Sequence, residues 1–235
     1  MDIVYICRKG DNEELRYSLR SVAKNLPESR VWVVGGKPKW YTGNYIQVEQ
    51  NTTKYANAMK NLCAIIQSDE ISDDFVLMND DFYVTKPVKD IETYNVGSIY
   101  AHYTRYCDKY GRNAYSKLLL NTLNRLKKAG IKDPISYEAH VPMKMNKQKL
   151  LETFKYKSCL WRSVYGNLFN DSSITIEDVK IYNKTDIDKI DYEVPYISSV
   201  DESFLDLYYE VLSKMFPDPS KYEAVTMVKL VNEIR

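Results

Sequence analysis

The sharpest group of reactive residue types is Asn79-Asp80-Asp81, directly after the apolar run Phe75-Val76-Leu77-Met78. Two adjacent carboxylates at the end of a buried run are costly near a core unless a cation meets them. A Mg²⁺ (or Mn²⁺) ion held by Asp80 and Asp81 and shared with a diphosphate would do so, because hard cations take oxygen ligands and keep phosphate partners. A capping turn is the structural alternative. His140, in Glu138-Ala139-His140-Val141-Pro142, is a candidate general acid or base. Its alternative is a histidine packed into a loop before a proline. Arg162, beside Trp161, carries the planar fork that suits phosphate oxygens, or serves a surface ion pair. Arg16 and Arg20 lie one helical turn apart near Asp11, where they hold phosphate or pair with Glu13. His102, beside Tyr100 and Tyr103, reads as structural or substrate-contacting.

The elements that must position these residues follow from periodicity. Asp2 to Cys7 is a short apolar, β-branched run and predicts a buried strand. Asp11 or Asn12 caps a helix to about Asn25, whose Leu15, Leu19, Val22, Ala23 and Leu26 share one face. Val31 to Val34 is a second strand, stopped by Gly35-Gly36, and Tyr45 to Val48 a third. Thr52 or Thr53 opens a helix through Tyr55, Met59, Leu62, Ile65 and Ile66. Phe75 to Met78 is the fourth strand. Strands alternating with helices predict a parallel, doubly wound sheet, in which ligands gather at the carboxyl ends of the strands. The loop Arg8 to Asn12, the Gly35-Gly36 turn and Asn79-Asp80-Asp81 all fall there. Beyond Val88 the pattern loosens. Helices are expected around Tyr115 to Ala129, Asn146 to Phe154, Trp161 to Phe169 and from Asp201 or Ser203 to Met215, with a strand from Ile174 to Tyr182.

The chain of 235 residues suffices for one substantial core, and a single catalytic domain over 1–235 is expected. A formal net charge of +1 excludes a global field for polyanions. Locally, His102 to Lys132 holds eight Lys or Arg against one acid, a basic helical insertion able to face phosphates. The 21 tyrosines are read as a compositional bias rather than as contact surfaces. Cys7, Cys63, Cys107 and Cys159 form no CxxC pair, which argues against zinc and for a reducing, cytoplasmic setting. No signal-peptide pattern and no membrane-spanning run is expected.

Several ordered blocks together resemble the Stealth family, which includes bacterial capsular-polysaccharide phosphotransferases and the catalytic chain of N-acetylglucosamine-1-phosphotransferase. Asp11-Asn12-Glu13-Glu14-Leu15-Arg16-Tyr17-Ser18-Leu19-Arg20-Ser21 is similar to its signature helix. Val31-Trp32-Val33-Val34 with Pro38-Lys39-Trp40 resembles its strand and Pro-x-Trp turn. Phe75 to Asp81 looks like its strand ending in Asn-Asp-Asp, and His140-Val141-Pro142 like its His-x-Pro element. Arg162 falls where a later Arg is expected, and Phe216-Pro217-Asp218-Pro219-Ser220-Lys221-Tyr222-Glu223 is similar to the family's closing block. Two features depart from the pattern. Lys9 stands where the family has an acid, and Ser198-Ser199-Val200-Asp201 replaces an Asn-Asp-Asn-like turn.

The resemblance implies an α/β fold with a mainly parallel, doubly wound sheet, Rossmann-like and glycosyltransferase-A-like, a helical insertion and a helical C-terminal part. It implies an enzyme, a transferase moving sugar-1-phosphate from a nucleotide-sugar donor to a hydroxyl acceptor. Asp80, Asp81 and His140 are then catalytic. Asp80 and Asp81 are the metal ligands, and Lys9, Asp11, Arg16, Arg20, Asn79, Arg162 and Asp201 are substrate contacts, Lys9 in part standing in for a metal's charge. The alternatives are a glycosyltransferase that releases a nucleoside diphosphate and acts on a glycan or, in a phage or bacterial setting, on modified DNA, and a non-catalytic sugar-phosphate-binding module.

Overall fold

A computed structural model describes residues 1–224; the end of the single domain expected over 1–235 lies outside the described residues. The first half of the chain runs β1 (Asp2–Cys7), α1 (Glu13–Asn25), β2 (Arg30–Gly35), β3 (Asn44–Gln47), α2 (Lys54–Gln67) and β4 (Asp74–Asn79). The second half continues with β5 (Phe82–Val84), β6 (Tyr94–Asn95), α3 (Ile99–Tyr110), α4 (Ala114–Lys128), β7 (Met143–Asn146), α5 (Lys147–Thr153) and α6 (Trp161–Phe169). It closes with β8 (Ile174–Thr175), β9 (Lys180–Ile181), α7 (Lys184–Ile187), β10 (Tyr196–Ser199) and α8 (Phe204–Leu207), which passes through a π-helical turn (Tyr208–Leu212) into α9 (Ser213–Met215).

The main sheet has the order β3-β2-β1-β4-β7. Its first four strands are parallel, with Tyr5 of β1 in register with Val33 of β2 and Met78 of β4. Alternation along β1 sends Ile3, Tyr5 and Cys7 into one core with Leu15, Leu19 and Val22 of α1. Val4 goes to the opposite core with Leu62 and Ile65 of α2. Burying each of these large aliphatic side chains contributes about 1.5–3 kcal/mol. Asn12 caps α1 by accepting from the Leu15 N–H, and Thr53 caps α2 by accepting from Ala56. The strands thus end together beside the N-terminus of α1.

The second half departs from the periodic reading in three ways. The sheet carries an antiparallel edge, because β7 runs against β4. The basic helical insertion expected over 102–132 is two helices, α3 starting earlier at Ile99; Ser98 caps α3, and with α4 it makes a separate apolar cluster around Ile99, Leu119, Leu123 and Leu126. The expected strand from Ile174 to Tyr182 is broken into β8 and β9, with Glu177 and Asp178 between them. Asp178 accepts the Lys180 N–H there. β8 pairs with β6, whereas β9 joins β10 and β5 in a small sheet of order β5-β10-β9. That sheet lays Lys180, Ser198 and Ser199 against the carboxyl end of β4.

Candidate functional site

A cavity of about 620 Å³ opens at the carboxyl ends of β1 and β4. It has an amide-rich end, with Gln50 from the loop after β3 and Asn57 and Asn61 from α2, and an acidic end with Glu14, Asp80, Asp81 and Asp201. Gly35 sits behind it with φ of +120°, a conformation L side chains rarely adopt; a Cβ there would clash with the Cys7 carbonyl. Asn61 presents a buried Oδ1 with no partner among the described residues.

The acidic end is built from five elements: the carboxyl ends of β1 and β4, the start of α1, β9 and β10. Asn12 does two jobs: its Oδ1 caps α1 and its Nδ2 donates to Asp80 Oδ2 at 2.5 Å. Asp81 accepts from Lys180 Nζ at 2.6 Å and from Ser198 Oγ at 3.0 Å. Glu14, buried in the first turn of α1, meets Arg8 at 3.1 Å and Ser199 Oγ at 3.4 Å. Arg8 also binds Asp201 at 2.7 Å and lies 4.0 Å from Asp80. Four carboxylates therefore share two cations. Burial first, and then the neighbouring Asp80, Asp81 and Asp201 charges against the opposing pull of Arg8, push the Glu14 carboxyl up to about 7. Burial and the adjacent Asp81 likewise raise Asp80, only partly offset by the Asn12 hydrogen bond. The Arg8 hydrogen bond leads the net lowering of Asp201.

An oxygen-only donor set with surplus negative charge suits a hard divalent cation. Among the described residues, no three His, Cys, Asp or Glu side chains are gathered closely enough to hold a metal by themselves. The fit is therefore to an ion taking one or two carboxylates, Asp80 and Asp81, and the remaining oxygens from a phosphate ligand.

His140 borders the same cavity. Its backbone is left-handed, φ +50°, which costs a non-glycine residue about 1–2 kcal/mol. Such strain persists where surrounding contacts impose it. Here the imposing contacts are Nδ1 of His140 on Asp178 Oδ1 at 2.8 Å and the brace behind the loop. Asp178 also accepts from the Tyr182 hydroxyl at 3.2 Å. Burial alone would raise Asp178, but the His140 charge and these hydrogen bonds outweigh it and hold the carboxyl below its ordinary value. His102 is a separate, half-buried imidazole bonded to Ser136 Oγ, and desolvation lowers it to about 4.

Five expected substrate contacts are not at the cavity wall. Arg162 is 7% exposed and donates to the Val141 carbonyl at 2.5 Å and the Tyr137 carbonyl at 3.4 Å. It is the brace of the His140 loop, not a phosphate contact. Arg16 and Arg20 grip Glu223, at 3.0 and 2.8 Å, on the flank of α1. Their hydrogen bonds overcome burial and hold that carboxyl near 2. The closing Phe216 to Glu223 block therefore ties the chain's later part to α1. Lys9 is exposed and offers its backbone N–H to Gln50 at 2.9 Å, while Arg8 supplies the guanidinium. Asp11 is exposed and also outside the wall. Asn79, Asp80, Asp81, His140 and Asp201 do converge on one cavity. Glu14, Arg8 and Lys180 join them, and Asp178 reaches the site through His140, without having been singled out for it.

The Glu14 shift makes stability pH-dependent. Because the folded state holds this proton more tightly than the unfolded chain, the Glu14 contribution to stability is fully present below the ordinary carboxylate value. It declines as pH rises through the window from 4.5 to about 7. The shift amounts to about 3 kcal/mol. Glu14→Gln is expected to flatten that decline and to raise the unfolding free energy at pH 8, read by urea unfolding across pH 5–8. A decline of unchanged depth in the variant would refute the assignment.

No protein-family model matches the sequence, and no curated protein matches it. Among solved structures, the galactosyltransferase LgtC, in complex with donor and acceptor sugar analogs, aligns with a TM-score of 0.51 at 11% identity. The alignment covers 94% of this chain and 98% of that one. The glycosyltransferase GlyE of Streptococcus pneumoniae TIGR4 aligns with a TM-score of 0.45 at 12% identity, over 99% of this chain and 62% of that one. Among the described residues no helix is long and apolar enough to cross a membrane. The mixed α/β architecture with its mainly parallel central sheet is the glycosyltransferase-A fold of LgtC.

Proposed function

We propose that this chain is a nucleotide-sugar-dependent transferase acting on a hydroxyl acceptor. The observation that carries the reading is the junction of a carboxylate-rich cavity, at the strand ends of this fold, with a His140–Asp178 pair. The amide end of the cavity suits the base and ribose, and the acidic end suits a diphosphate accompanied by a cation. Asp80 and Asp81 would hold Mg²⁺ or Mn²⁺, with Asn79 orienting them; when bound, the ion neutralises charge on the phosphate oxygens. Arg8 and Lys180 supply fixed positive charge beside the same oxygens. Asp201 positions Arg8, to which it is bonded at 2.7 Å. Asp178 takes the Nδ1–H of His140 and leaves Nε2 as the proton acceptor for the attacking hydroxyl.

The Stealth-like blocks favour sugar-1-phosphate transfer. The acceptor oxygen bonds to the phosphorus bearing the sugar, the bridging P–O bond breaks, a nucleoside monophosphate leaves and the hydroxyl proton passes to His140. The likeness in fold to LgtC favours a second reading, in which the acceptor oxygen bonds to the anomeric carbon. The bond from that carbon to the phosphate oxygen then breaks, and a nucleoside diphosphate leaves. The test is to incubate the protein with UDP-, GDP-, dTDP- and CMP-linked sugars, Mg²⁺ and an oligosaccharide mixture, and to identify the released nucleotide, with Asp81→Ala as control. A monophosphate lost in the variant supports the first reading, provided the donor is a diphosphate sugar. A diphosphate supports the second. Release and binding both absent across the panel would sink the proposal.

A further inference from the structure

A second cavity, of about 530 Å³, lies on the other side of Lys180, within the size range of ligand sites. Three residues join it to the first. Lys180 lines both cavities, and Asp178 lines the second while bonding His140, which lines the first. An occupant of the second cavity therefore lies against the residue pair that separates it from the acidic end of the first.

The cavity's chemistry is mixed at short range. Its walls include the aliphatic side chains of Ile176, Val179 and Ile190 and the phenol of Tyr182. Around them stand four carboxylates, Glu177, Asp178, Asp186 and Asp191, against three ammoniums, Lys109, Lys180 and Lys189. Part of this charge is already matched: Lys180 binds Asp81 and Lys189 binds Asp186 at 3.3 Å. A polyanion such as DNA gains no net attraction from such a wall. A ring carrying many hydroxyls does gain. Its O–H groups donate to the carboxylates, its oxygens accept from the ammoniums, and its C–H faces cover the aliphatic and aromatic surface. The strongly basic helix α4 has Lys117, Arg125, Lys127 and Lys128 exposed, and none of these four lines this cavity.

We infer that the second cavity is an acceptor subsite and that it takes a saccharide, which lies against the Asp178–Lys180 wall bounding the first cavity. The inference rests on the transferase reading, and its test separates the two. Fluorescently labelled full-length protein is applied, without donor, to a printed array of neutral and amino oligosaccharides. Binding of the nucleotide-sugar panel is measured in parallel by calorimetry. Glu177→Trp fills the cavity from an exposed position, and Lys189→Trp fills it from a second exposed position, where the replaced side chain has only a surface ion pair.

Expected is saccharide binding that each variant weakens at least tenfold while nucleotide-sugar Kd changes less than twofold. No retained saccharide, saccharide binding indifferent to both variants, or a duplex oligonucleotide that binds and is displaced by Glu177→Trp would each overturn the saccharide assignment. If saccharide binding behaves as expected but no nucleotide-sugar binds, the cavity stands as a saccharide site and the donor reading falls.

Discussion

Asp80→Asn is expected to lower nucleotide-sugar turnover by about 10³-fold while making the ligand-free protein more stable. The two effects have one origin. Asp80 is forced towards a neutral form by burial and by Asp81, so as an anion it destabilises the fold that carries it. Asparagine has nearly the same shape and can still accept from Asn12 Nδ2, which sits at 2.5 Å. It removes the charge without removing the contact. A gain of roughly 1 kcal/mol would appear as a Tm rise of about 2–4 °C in a chain of this size.

The activity loss follows because a neutral amide neither attracts a divalent ion nor holds one against a diphosphate. The Mg²⁺ dependence of nucleotide-sugar binding should therefore vanish together with turnover. A variant that is less active because it is unfolded would show the opposite change in Tm, so a single thermal scan beside a kinetic assay separates the cases. Turnover within a few-fold of wild type would show that Asp80 is not at the reacting phosphate. The stability sacrificed by clustering carboxylates is the usual trade at sites built to bind a cation.

The first half of the fold was legible because each strand is a continuous apolar run and each helix repeats its apolar residues on one face. The parallel sheet from β1 to β4 follows from that alternation alone. β5, β6 and β8 to β10 were not legible as individual strands. They are two to four residues long and acquire their pairing from partners far away, such as Ser198 of β10 with Phe82 of β5.

The site divides in the same way. Asn79, Asp80 and Asp81 are exposed to reading because they end a strand, and His140 because histidine occurs only twice. Glu14 was hidden, since an acid in the first turn of a helix is accounted for by the helix dipole without any cavity. Lys180, ninety-nine positions from Asp81, has no local signal at all. Arg16, Arg20 and Arg162 misled for a shared physical reason. A guanidinium suits a buried carboxylate or a row of carbonyls as well as it suits phosphate, and sequence does not reveal which lies within reach. At the loop after β1 it is Arg8, not Lys9, that faces the carboxylates.

Asp178 was missed for a different reason: it lies inside what reads as one strand, and it becomes prominent only when that strand breaks. Its role can be isolated by Asp178→Asn, for which kcat is expected to fall by about 10²–10⁴-fold with donor Kd within threefold. The carboxylate accepts the Nδ1–H of His140 and so fixes which ring nitrogen is free. An asparagine can rotate to donate its N–H to Nδ1 instead, which places the imidazole proton on Nε2 and leaves no acceptor for the incoming hydroxyl. The left-handed backbone of His140 gives the ring little freedom to compensate, since the Arg162 brace and the Pro142 junction hold the loop.

Asp178→Glu keeps the charge but lengthens the arm, and should recover part of kcat. Tyr182→Phe removes only the second hydrogen bond on Asp178 and should cost a few-fold. A purely structural Asp178 would instead lower donor affinity and Tm together and would gain nothing from glutamate. Retention of more than a tenth of wild-type kcat in Asp178→Asn would move the proton acceptor away from His140 and leave the carboxylate cluster as the sole catalytic feature of the cavity.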